Sequence, residues 1–81
     1  MVMNKDEMLA YLKDLQNQVA YVSFFSNNKG YEVGNRYNEL LKAKGYSHNI
    51  PNDAEEKLVA DYLECYINSI YDCQLADRIK F

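Results

Sequence analysis

From Asn52 to Ile79 the chain holds neither glycine nor proline, and that uninterrupted run constrains the fold more than any other feature. Asn52 followed by Glu55 has the form of a capping box, and Asp53 and Glu56 add acid to the first turn. The spacing therefore predicts a helix over about residues 53–79, roughly 40 Å long. At about 100° per residue, Leu58, Val59, Tyr62, Leu63, Cys65, Tyr66, Ile67, Ile70 and Cys73 fall within one arc of roughly 200°. Lys57, Asp61, Glu64, Asn68 and Asp72 take the remaining sector. A helix in a simple three-helix monomer needs a stripe only somewhat over 100° wide. Cover must therefore come from most sides. We expect homodimerisation through this helix, with Tyr62, Cys65, Tyr66, Ile70 and Cys73 at the interface.

The densest part of that run, YLECYINSIYDC over residues 62–73, looks at first like a chemical site. The wheel separates its thiols from its acids, because both cysteines lie in the apolar arc. Eight residues apart on one helix, their Cα atoms stand about 12 Å apart, beyond the roughly 7 Å that a disulfide spans. Zinc sites call for several ligands at short spacing, and the lone histidine, His48, sits in another segment. Cys65 and Cys73 read as small hydrophobes. Asp61, Glu64 and Asp72 read as a solvated stripe.

The N-terminal segment predicts a second long helix, over about residues 5–26. Asn4 is its N-cap, Asp6 and Glu7 load the first turn, and Met8, Leu12, Leu15, Val19 and Val22 form a heptad-like seam. Within VAYVSFF, residues 19–25, Tyr21, Phe24 and Phe25 make the chain apolar on nearly all sides. That is the mark of a helix entering a buried region or of a strand, so a hairpin at 19–33 in an α+β fold is the alternative. Helix is preferred because the seam stays in register through Val22. Residues 26–34, with two glycines, read as a loop. Asn35 then caps a short middle helix over about 35–44, stopped by Gly45 at the C′ position. The fold expected is all-α: one domain over residues 1–81 with two long antiparallel helices and a short one between.

A chain of 81 residues buries only roughly 60% of its unfolded surface, so a partner adds much to its stability. Net charge is −3 and the pI is near 5.0, which disfavours a general nucleic-acid binder. Residues 50–77 carry seven acids against Lys57, whereas residues 26–49 carry Lys29, Arg36, Lys42 and Lys44 against Glu32 and Glu39. No export signal or membrane-spanning run is legible, and two cysteines fit a reducing compartment. The expected location is the cytoplasm, including that of a host cell.

No phosphate-cradling glycine loop, Glu-x-x-His or nucleophile elbow occurs, and no cysteine lies near His48 in sequence. An enzyme is not expected, and neither a cofactor nor a metal is implied. The eight tyrosines, without a tryptophan, suit a core boundary or a protein-binding surface. The leading expectation is a non-enzymatic protein that binds a larger protein and inhibits or regulates it. The candidate contacts are Tyr31, Arg36, Tyr37 and Tyr46, with Asp61, Glu64 and Asp72 as an acidic footprint. In size, acidity and tyrosine content the chain resembles the small modulators encoded by phages and mobile elements, including anti-defence inhibitors. That resemblance is one of type, without a family motif. Two further readings compete with it. The tyrosines and basic residues of the middle segment would grip a small nucleotide ligand. A small transcription regulator is weaker, because the connector 45–51 is long for a helix-turn-helix and an acid-rich helix follows it.

Overall fold

The computed structural model describes residues 3–25 and 29–81. It is all-helical, with α1 at Lys5–Ser23, α2 at Lys29–Ala43, α3 at Glu56–Asp72 and a short 3₁₀ turn at Ala76–Arg78. The hairpin alternative is overturned, because residues 19–23 and 29–33 are helical.

Helix α1 begins as its sequence requires. The Glu7 amide donates to Asn4 Oδ1 at 2.8 Å and the Asn4 amide donates to Glu7 Oε1 at 3.0 Å, a reciprocal capping box. Met8, Leu12, Leu15 and Val19 are buried and Val22 is half-buried. The helix ends at Ser23 rather than at residue 26. The expected end, like the first part of the expected loop (26–28), lies outside the described residues.

The middle helix is the largest correction. It starts at Lys29, not Asn35, and runs for 15 residues. Gly30, read from sequence as a loop residue, is needed inside the helix. A Cβ there would stand 2.9 Å from the Ser23 Cβ and 3.4 Å from the Val19 carbonyl oxygen, so only glycine lets α2 start this close to α1. Val33, Tyr37 and Leu41 face the core. Because α2 crosses the whole molecule, α1 and α3 run parallel, with α2 antiparallel to both. The pairs Gly30–Ser23, Arg36–Asp72 and Tyr46–Tyr62 fix those directions. Two antiparallel long helices had been expected.

Helix α3 is shorter than expected at both ends. The Asn52–Glu55 capping box does not form; Glu55 takes the N-cap position without a side-chain bond. A turn precedes it, in which the Ala54 amide donates to the Pro51 carbonyl at 3.1 Å and Ala54 enters the core. At the other end the helix stops at Asp72 rather than running on to residue 79. The chain instead turns at Gln74, which has a left-handed φ of 61°. The Leu75 amide donates to the Ile70 carbonyl and the Gln74 amide to the Tyr71 carbonyl, a Schellman motif that returns Leu75 and Ile79 to the core. Helix α2 ends by the same device, with Gly45 at φ 77° and Tyr46 and Gly45 donating to Leu41 and Lys42.

The broad apolar arc of α3 is thus covered by its own chain. Val59, Tyr62, Leu63, Cys65, Tyr66 and Ile70 are buried among α1, α2, the connector and the returning tail, and Leu58, Ile67 and Cys73 are half-buried. The expectation that Tyr62, Cys65, Tyr66, Ile70 and Cys73 form a dimer face loses its ground. It rested on too short a middle helix, and the longer α2 supplies the missing cover.

Candidate functional site

The tyrosines fall into two groups. Around the connector, rings stack and hydroxyls find partners. Tyr62 is fully buried and its hydroxyl donates to the Ser47 carbonyl at 2.8 Å. Tyr46 stacks on it with centroids 5.5 Å apart and donates to Asp61 Oδ2 at 2.7 Å. That bond to a carboxylate holds the Tyr46 pKa above its ordinary value. Tyr37 meets Tyr66 edge to face at 5.0 Å. Burial raises both of their pKa values, that of Tyr66 to about 12. Burial likewise raises the Cys65 and Cys73 thiols, which opposes nucleophilic use, since the thiolate is the reactive form.

Several expected contact residues are therefore committed inside the fold. Tyr37 is buried. Tyr46 and Asp61 bind each other. Arg36 joins α2 to α3 through a 2.9 Å bond from Nε to Asp72 Oδ2, and that bond is the main cause of its raised pKa. Glu64 and Tyr31 remain exposed. The structure does not gather Tyr31, Tyr37 and Tyr46 with the basic residues of α2 into one pocket. The hollow beside Tyr46, about 480 Å³, is lined by Asp53, Glu55 and Asp61 with Lys57, a charge balance that repels phosphate. His48 is exposed, with Nδ1 2.7 Å from Asn38 Oδ1. Among the described residues, no three His, Cys, Asp or Glu side chains converge as metal ligands. No described helix is long and apolar enough to cross a membrane.

The unsatisfied surface lies at the opposite end, where α1 ends and α2 begins. Phe24 is 88% exposed, Phe25 74%, Tyr31 73% and Tyr21 68%. Ala20 and Tyr21 of α1, with Phe24 and Phe25 in the turn that continues it, span an arc of roughly 140° on the side away from the buried Val19. Tyr21 and Phe25 touch, with ring centroids 5.5 Å apart. Tyr31 approaches from α2 across a hollow it shares with Ala20, Ser23 and Gly30. The all-round apolar character of VAYVSFF, read as entry into a buried region, thus has a different resolution. One side of this helical end is core, and the other is an aromatic patch in water.

No charged residue lies between Asp14 and Lys29. Around the hollow beside Phe25 the charges are balanced, with Lys29 and Arg78 set against Glu32 and Asp77. Sequence reasoning identified Tyr31 but missed Tyr21, Phe24 and Phe25 as surface residues. Their signal was present in a second apolar face on a helix whose first face was already complete. Compared with protein-family models, with curated proteins and with solved structures, the chain matches none.

Proposed function

We propose that the chain is a non-enzymatic interaction protein that docks on a larger protein through the aromatic tip of α1 and Tyr31, and so inhibits or regulates it. The observation that carries this reading is the exposure of four large rings at one end of a fold in which Tyr37, Tyr46, Tyr62 and Tyr66 are packed or hydrogen-bonded. Rings in water are costly to solubility and useful as anchors, since aromatic side chains dominate the energetics of protein interfaces. Surface patches of this kind on small proteins mark interaction sites. Arg36, Tyr37, Tyr46, Asp61 and Asp72 hold the fold together in this reading, and Glu64 lies outside the contact.

The test is affinity capture from a lysate of the source cells with the wild type and with a Phe24→Ser, Phe25→Ser double variant, followed by mass spectrometry. The expected result is a single protein retained by the wild type and lost by the variant, whose activity changes when the purified chain is added. Equal retention by both baits would overturn the reading.

A further inference from the structure

We infer that in the free protein the aromatic tip of one copy is covered by the tip of a second, in a weak two-fold dimer built on Tyr21, Phe24, Phe25 and Tyr31. This goes beyond the docking reading and does not depend on it.

Charge supplies the first reason. A two-fold contact sets a patch against its own copy, so a patch of one sign repels itself. The tip meets the condition for self-association, being uncharged from Leu15 to Asn28 and bordered by the balanced charges beside Phe25. The opposite end is densely charged instead, with Asp6, Glu7, Asp53, Glu55 and Glu56 alongside Lys5, Lys42, Lys44 and Lys57. A second copy therefore meets the least charge at the tip.

Area supplies the second. At about 200 Å² for a fully exposed aromatic side chain, the four rings offer about 600 Å² per copy. Two copies would hide about 1,200 Å², the lower edge of the range for specific interfaces. The dimer is therefore weak and concentration-dependent. A lipid surface fits less well, since helices that lie at an interface carry an excess of Lys and Arg, whereas Lys29 and Arg78 are matched by Glu32 and Asp77 around the hollow beside Phe25. Where the docking reading also holds, a target bound through the same rings takes the place of the second copy. Self-association keeps the tip out of water until then.

Sedimentation of the full chain between about 1 μM and 1 mM tests the inference, a range set by the small area. The weight-average mass should rise from 9.5 kDa towards twice that value, equally at low and high salt. The Phe24→Ser, Phe25→Ser variant should remain single-copy throughout with an unchanged circular dichroism spectrum and melting temperature. A Tyr71→Ser variant, altered at another exposed ring, should associate like the wild type. A wild type that stays monomeric overturns the inference, as does a double variant that still dimerises. So does a wild type that is monomeric in buffer and co-sediments with phosphatidylcholine vesicles. Capture of a target reports separately, so a monomer that still captures its target removes the dimer alone.

Discussion

The connector end and the tip end of this molecule use the same kind of side chain to opposite effect. At the connector, Tyr46 and Tyr62 stack and their hydroxyls reach Asp61 and the Ser47 carbonyl. At the tip, Tyr21, Phe24, Phe25 and Tyr31 present their rings to water. The difference is one of neighbours. The connector folds over the N-terminal half of α3 and encloses its rings, whereas among the described residues nothing covers the rings on the outer face of α1. An aromatic count therefore says little about function until the helices are placed, because the same composition builds a core and a docking surface.

Cutting into each end should break the comparison most plainly. Tyr62→Ala removes a fully buried ring and is expected to cost about 3–5 kcal/mol, read as a lower urea midpoint. Phe24→Ser should change that midpoint by less than about 0.5 kcal/mol. Equal losses would mean that the tip is part of the core.

Alkali should act on the enclosed rings, whichever end they lie at. Tyr37, Tyr46 and Tyr66 hold pKa values above the ordinary tyrosine value, that of Tyr66 at about 12. Above pH ~10 the unfolded chain releases phenolic protons that the folded chain retains. Stability should therefore be complete below that pH and fall as pH rises through the raised values. Urea midpoints between about pH 8 and 12, alongside phenolate absorbance, check the window.

The root of the tip can be loosened through Gly30. Gly30→Ala forces a Cβ to within 2.9 Å of the Ser23 side chain, and overpacking of this kind costs about 1–3 kcal/mol. Thermal melting should show the loss, and tip-dependent binding should weaken with it because Tyr31 moves relative to α1.

The finest contrast lies in the two left-handed helix ends. Gly45→Ala should lose about 1 kcal/mol, since a Cβ is penalised at positive φ. Gln74→Gly should gain a similar or smaller amount, up to about 1 kcal/mol. Opposite signs in denaturant melts would confirm that both helices end by one backbone device.

What was legible in the sequence was local chemistry repeated in register. The Asn4 cap, the Met8–Leu12–Leu15–Val19 seam, the stop at Gly45 and the separation of thiols from acids on α3 all appear in the structure. What escaped depended on distant partners. Gly30 looks like a loop residue until Ser23 is beside it, and Gln74 offers no sign of a helix stop because it is not the usual residue for left-handed backbone. Tyr37 and Tyr31 cannot be sorted into core and surface by type. Arg36 and Asp72, both read as partner contacts, lie 36 positions apart in the chain and bind each other. The site was half legible for the same reason: a second apolar face on α1 could be seen, but not what stood opposite it.

The Gln18 side chain grips both backbone groups of Lys80, its Nε2 donating to the carbonyl at 3.0 Å and its Oε1 accepting from the amide at 2.8 Å. In kinetic terms this clasp, like the bond from the Tyr11 hydroxyl to the Phe81 carbonyl, differs from the contacts between successive helices. Adjacent helices meet across short connections, which close quickly, whereas residues 18 and 80 are separated by 62 positions and must close a much longer loop. The physical expectation is a rapidly assembled three-helix body on which the returning tail locks last. Gln18→Ala should then speed unfolding while leaving the folding rate almost unchanged.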